Sequence, residues 1–196
     1  MAVKALIRTS TRKQRVPTLW VFSDVKRLAE PWRVAESLAM GEAIIVRHTD
    51  RIVAADWAAR TRRACRRGAM VLISSDWRTA VALGLGGVHI PESENRFIAP
   101  GLRLWRKNRG AVLTTSAHSL RALQQTRQMN PDLVFLSPVF PTRSHEDRPS
   151  LGSTTFARWS RLSTAPVAAL GGVRQQNFFA LKGTRLAGVG GVGFGD

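Results

Sequence analysis

The residues of this 196-residue chain that are able to do chemistry recur at one kind of place, just past the end of a short apolar run. Asp24 follows "LWVF", Arg47 and His48 follow "AIIV", Ser75 and Asp76 follow "VLIS", and Glu92 and Glu94 follow "GVHI". Ser116 and His118 close "VLTTSAH"; Thr142, Ser144 and His145 come after "VFLSPVF"; Gly171 and Gly172 follow "VAAL"; Gly193 and Gly195 sit in "GVGGVGFG". Guanidinium, imidazole and hydroxyl groups are anion donors. "ALGGVRQQN" ends an apolar run with two glycines and then opens a helix, so backbone N–H groups and a positive helix end can face a phosphate. With Arg143 and Arg148 beside it, the stretch from Thr142 to His145 reads as an anion-gripping flap. Asp76 and Glu94 add carboxylates to the same set.

Each of these residues also has a plainer role. Arg47 can pair with a rim carboxylate, Asp76 can cap the helix that begins at Trp77, and Glu94 can be a solvated loop residue. His118 can be structural at a helix start, and His145 a loop histidine or a pH-dependent substitute for lysine.

The elements that would position such a set are repeated. Eight short runs rich in Val, Ile and Leu alternate with stretches of helical period, the signature of βα units around a parallel sheet buried on both faces. Eight units predict an α/β fold of the (β/α)8 TIM type, whose strand C-terminal ends share one face and carry the active site. An open doubly wound sheet is the alternative, though Gly-x-Gly-x-x-Gly is missing after the first strand. The boundaries predicted are a basic arm over residues 1–17 and one barrel domain over 18–196 that lacks the usual final C-terminal helix, a flank that the arm covers, or a second copy in a homo-oligomer, or that stays open. Helices are expected over "DRIVAADWAARTRRACRR" with Ile52, Ala55, Ala59 and Cys65 inward, near Asn95 to Lys107, near Thr154 to Arg161 and near Arg174 to Leu181.

Composition narrows the class. The chain is 44% hydrophobic, enough for a core, and no apolar run approaches the roughly 20 residues of a membrane span. The N-terminus lacks a secretory signal, so a soluble, cytoplasmic protein with no membrane partner is expected. A net charge of +17 raises the question of nucleic acid. Its arginines cluster in the N-terminal arm and in "AARTRRACRRG" and "RLWRKNRG", read as solvated helix faces without a nucleic-acid-binding motif, so nucleic acid is not the expected partner. The single cysteine, Cys65, has no metal or disulfide partner in its surroundings and reads as a small packing residue. The six tryptophans are scattered singly and read as packing.

"SAHSL" (116–120), "SPVFPTRSH" (137–145) and "VAALGGV" (167–173), with "GVHI" upstream, resemble the thiamine phosphate synthase and TenI family in order and spacing. The resemblance covers roughly residues 18 to 193. It implies a (β/α)8 barrel that joins a hydroxymethylpyrimidine pyrophosphate to a thiazole phosphate with release of pyrophosphate, with small phosphate and pyrophosphate esters as ligands and Mg2+ as cofactor if Asp76 and Glu94 reach one ion. Arg47 and Ser116 match catalytic positions of that family, Thr142 and Ser144 match the pyrophosphate-holding hydroxyls, and Gly171 and Gly172 match the thiazole-phosphate turn, while Gly193 lies in the Gly-rich turn after strand eight, at the usual phosphate site of the fold. Pro138 agrees with the synthase branch, where the tautomerase branch can carry a histidine.

The departures are specific. His145 stands where a lysine grips pyrophosphate, and Ile45, Val46, Arg47, His48 and Thr49 replace Gln-Leu-Arg-x-Lys. Pro91 and Glu92 replace Gly-Gln. Asp76 to His89 is one residue short, so an ungapped match sets Ser75 at the metal position and Glu94 at the second carboxylate. A noncatalytic phosphate-ester binder, or a thiazole tautomerase using His118 or His145, are the other readings.

Overall fold

The computed structural model describes residues 16–94, 98–142 and 149–192. Eight parallel strands close into a barrel in sequence order. They are β1 Leu19–Phe22, β2 Glu42–Val46, β3 Met70–Ser74, β4 Gly87–Ile90, β5 Val112–Ala117, β6 Leu133–Leu136, β7 Val167–Leu170 and β8 Leu186–Gly191. Closure is made by β1 on β8, with Leu19 opposite Val189 and Val21 opposite Gly191. Seven helices follow strands one to seven: α1 Pro31–Ala35, α2 Arg51–Ala64, α3 Trp77–Ala82, α4 Pro100–Arg109, α5 Leu120–Gln125, α6 Gly152–Leu162 and α7 Gln175–Phe178. The expected (β/α)8 architecture is therefore present. β8 has no following helix among the described residues.

The strands are mostly apolar because both of their faces are covered, with Glu42, His89, Thr114, Thr115 and Ser116 as buried polar exceptions. Side chains of alternating positions, among them Trp20, Phe22, Ala43, Ile45, Leu72, Leu133 and Phe135, fill the barrel interior. Their neighbours Val21, Ile44, Val46, Val71 and Ile73 instead pack outward with Ala54, Trp57, Ala58 and Ala80. Full burial of side chains of this size stabilises the fold by about 1.5–3 kcal/mol each. The interior aromatics interlock edge to face, Phe22 on Phe135 at 5.0 Å and Trp20 on Phe135 at 5.3 Å. β8 makes room for them with Gly190, where a Cβ would lie 3.0 Å from the Phe22 ring and 3.1 Å from Leu170.

Three helices differ from the sequence pattern. In α2 the inward stripe is Ala54, Trp57, Ala58, Thr61 and then Cys65, not Ile52, Ala55 and Ala59, and Ile52 is 83% exposed. The cap sets the phase: the Asp50 carboxylate accepts the Ile52 and Val53 N–H groups at 2.7 and 3.2 Å, and the bulky Trp57 takes the buried place. α4 begins at Pro100, later than the pattern predicts, because proline suits a first turn, and it stops at Gly110 in the left-handed conformation. The segment predicted as one helix near Arg174 to Leu181 is the four-residue α7 followed by a 3-10 turn over Phe179–Leu181.

Cys65 is buried, and burial pushes its thiol pKa up, as suits a packing residue. The arginines of α2 face solvent except where Arg60 lies 3.3 Å over the Trp32 ring. No described helix is long and apolar enough to cross a membrane.

Candidate functional site

The strand ends carry the described candidate residues to one face of the barrel, where they fall into four groups. Arg47, at the end of β2, is held by the turn after β1. Its Nε and Nη2 donate to the Ser23 carbonyl at 3.0 and 2.9 Å, while its backbone N–H donates to Ser23 Oγ at 2.6 Å and Ser23 Oγ donates back to the Arg47 carbonyl at 3.0 Å. The guanidinium lies 5.1 Å over the Phe22 ring and 4.0 Å from the Asp24 carboxylate. Burial pulls its pKa below the ordinary value and Asp24 opposes that, yet a guanidinium stays charged in proteins. The result is a cation of fixed direction at the barrel mouth, with 40% of its side chain open to solvent.

The second group is the pair predicted to hold Mg2+. Asp76 is the N-cap of α3: its Oδ1 accepts the Thr79 N–H at 3.0 Å and its Oδ2 accepts the Thr79 hydroxyl at 2.7 Å. Burial raises its pKa, but the hydrogen bonds from Thr79 outweigh it and hold the carboxyl below the usual carboxylate value. Glu94 lies in a 3-10 turn after β4 and accepts the Ser75 hydroxyl at 2.9 Å. Ser75 reaches it from a left-handed backbone, φ 67°, which serine adopts only under constraint. The constraint is visible: the Ser75 N–H donates to the His89 carbonyl at 2.8 Å and the Asp76 N–H to the Ser74 carbonyl at 2.8 Å. Both oxygens of Asp76 thus serve the cap, which orients the carboxylate toward α3, and Glu94 faces a hydroxyl. Among the described residues no group of three His, Cys, Asp or Glu side chains is placed to hold a metal ion. This donor set does not fit an ion held jointly by Asp76 and Glu94.

The third group joins β4 to β5. Glu92 accepts both the backbone N–H of His118 at 2.6 Å and its Nδ1–H at 2.5 Å through one oxygen, Oε2. A carboxylate partner fixes the Nδ1–H tautomer of the imidazole. The Glu92 N–H in turn donates to Ser116 Oγ at 3.2 Å, and Ser116 is buried. Below them, inside the barrel, His89 is 3% exposed, shares a 2.9 Å hydrogen bond with Thr114 Oγ1 and meets Phe22 and Phe135 edge-on. Burial, reinforced by Arg47 and His118, lowers its pKa to about 3, so it is neutral at ordinary pH.

The β6 and β7 ends form one unit. The Val139 N–H donates to the Leu170 carbonyl at 2.9 Å and the Phe140 N–H to the Gly171 carbonyl at 3.1 Å, after a cis Ser137–Pro138 bond. Gly171 and Gly172 both have positive φ, 84° and 66°. A Cβ on Gly172 would lie 2.4 Å from the Pro141 carbonyl oxygen and 2.5 Å from that of Phe140, so only glycine fits. Asn177 Nδ2 donates to the Gly172 carbonyl at 2.8 Å and closes the turn on α7. Thr142 directly follows Pro141, whose carbonyl lies against Gly172. Ser144, His145 and Gly193, along with Arg143 and Arg148, lie outside the described residues.

His89 was not among the predicted site residues, and the pairing of Glu92 with His118, each a candidate on its own, was not predicted. The signal for His89 was a lone polar residue in the apolar run "GVHI"; Glu92 and His118 each stood at a strand end, and nothing linear links them.

A family model described as thiamine monophosphate synthase matches residues 25–193. The chain belongs to this family. Among curated relatives, the putative thiamine-phosphate synthase 2 of Aquifex aeolicus is 33% identical over 105 residues, covering 54% of this chain and 54% of that protein. The thiamine-phosphate synthase of Latilactobacillus sakei is 29% identical over 137 residues, covering 68% of this chain and 59% of that protein. The chain thus spans about half the length of these relatives. A solved thiamine phosphate pyrophosphorylase from Pyrococcus furiosus shares the fold, with a TM-score of 0.68 at 17% identity over 90% of this chain and 85% of that one.

Proposed function

We propose that the chain catalyses the thiamine phosphate synthase reaction on small soluble esters in the cytoplasm. A hydroxymethylpyrimidine pyrophosphate loses pyrophosphate by cleavage of its methylene C–O bond, the electron pair leaving with the oxygen. The thiazole nitrogen of a thiazole phosphate then gives its lone pair to the methylene carbon. In such a step the protein's task is to bind and orient two anions and to stabilise charge on the departing oxygen. Arg47 is the fixed cation for that role, Thr142 a hydroxyl donor, Ser116 a polar contact on the β5 side, and Gly171 and Gly172 the turn that admits a phosphate close to the backbone. Ser144, His145 and Gly193 complete the proposed set.

The observation that carries this reading is the interlock of the two family motifs, "SPVFPT" on "ALGG", through the Val139 and Phe140 N–H groups. It makes one rigid cradle from two strand ends. The test is thiochrome-detected thiamine phosphate formation from both substrates. Product should form and fall by roughly 100-fold or more in Arg47→Met with unchanged circular dichroism. A folded protein that binds the thiazole phosphate and yields no product refutes catalysis and leaves a phosphate-ester binder.

The 2.5 Å contact between Glu92 and His118 favours a second reading, proton transfer on the thiazole precursor by an oriented imidazole. Under it, His118→Gln abolishes isomerisation while Arg47→Met spares it.

A further inference from the structure

The place where the family resemblance sets two metal carboxylates holds a different pair here, and its geometry is specific. At the end of β3 the backbone turns through the left-handed Ser75, pinned by its N–H on the His89 carbonyl, and this turn aims the hydroxyl at Glu94 Oε1, 2.9 Å away. The neighbouring carboxylate, Asp76, is turned into α3, with one oxygen on the Thr79 N–H and the other on the Thr79 hydroxyl. Releasing Asp76 to an ion would leave the first turn of α3 uncapped. Mg2+ prefers near-ideal octahedral oxygen geometry and surrenders water reluctantly, so one carboxylate that is already hydrogen-bonded is a poor seat for it.

We infer that Ser75 and Glu94 form a hydrogen-bonded pair that holds no divalent cation, and that one substitution, Ser75→Asp, converts it into a cation site. The same backbone supports the change, because aspartate tolerates a positive φ better than most residues, and its carboxylate would then face Glu94 across the present hydrogen bond. The inference concerns the chain's own carboxylates and stands whether or not the condensation is catalysed.

The experiment is a titration of the full chain with Mn2+ alone, reading free Mn2+ by electron paramagnetic resonance, for wild type, Asp76→Asn, Glu94→Gln, Ser75→Asp and Ser75→Asp/Glu94→Gln, each checked by circular dichroism and thermal melting. Folded Ser75→Asp should bind one Mn2+ at least roughly tenfold more tightly than wild type, since added ligand charge raises affinity at oxygen sites, and the double variant should lose that gain. Any Mn2+ held by wild type should be indifferent to Glu94→Gln and Asp76→Asn, which would place it elsewhere. Wild-type binding that weakens about tenfold in either single variant overturns the inference, as does a folded Ser75→Asp that binds no better than wild type. If Ser75→Asp fails to fold, the wild-type, Glu94→Gln and Asp76→Asn titrations still decide the first half.

Discussion

Replacing Gly172 by alanine, set against the same change at Gly183, measures how rigidly the two motif loops grip each other. Both glycines have positive φ, 66° and 82°. They differ in their surroundings: a Cβ at Gly183 meets nothing within 4 Å, whereas at Gly172 it would meet the Pro141 and Phe140 carbonyl oxygens at 2.4 and 2.5 Å. Alanine in the left-handed region costs about 1–2 kcal/mol, offset in part by the lower entropy of the unfolded chain, so Gly183→Ala should lose about 1 kcal/mol. Gly172→Ala carries that loss and an overpacking penalty of about 1–3 kcal/mol, because the atoms it meets are backbone and cannot swing aside. A total near 3 kcal/mol corresponds to a fall in Tm of roughly 6–12 °C for a chain of this size, against roughly 2–4 °C for the control. Calorimetry at pH 7 reads both, and titration with inorganic pyrophosphate follows the cradle itself. Equal losses at the two positions would refute the rigid interlock of Phe140, Pro141 and Gly172, and with it the structural basis of the proposed phosphate turn.

Two further outcomes follow from the hydrogen-bond geometry. Asp76→Ala should cost about 1 kcal/mol in denaturant melts while Asp76→Asn, which keeps a capping oxygen, stays within about 0.5 kcal/mol; equal losses would show that the negative charge rather than the cap matters. His89 has a folded pKa of about 3 against an ordinary 6.5, so the unfolded chain takes up a proton first and stability should fall as pH drops below about 6.5. At pH 5 this amounts to at most about 2 kcal/mol. His89→Gln should flatten that slope between pH 7 and pH 5 in urea melts, and an unchanged slope would mean that other groups set the acid sensitivity.

Much of the barrel was legible in the chain itself. A strand buried on both faces is apolar at most positions, so the eight runs and their order stood out, and with them the face on which Arg47, Asp76, Glu94, Ser116, Thr142, Gly171 and Gly172 would lie. Helix details were less legible, because local pattern competes with packing. Ile52 looked like a core residue by type and lies in solvent, since the Asp50 cap and the bulk of Trp57 fix the phase of α2.

Side-chain partners across strands were not in the sequence at all. The one-residue difference in spacing between Asp76 and His89 left Ser75 and Asp76 equally eligible at the end of β3. The fold separates them, because Thr79 one turn on captures the Asp76 carboxylate and leaves the Ser75 hydroxyl to Glu94. Glu92 and His118 stand 26 residues apart and read as two separate strand-end residues; they meet only because β4 and β5 lie side by side in the closed barrel. Periodicity reports which face of an element is buried. It carries no information on which polar group of the next strand will be within hydrogen-bond reach, and that distance, set by barrel closure, is what made these strand ends into a site.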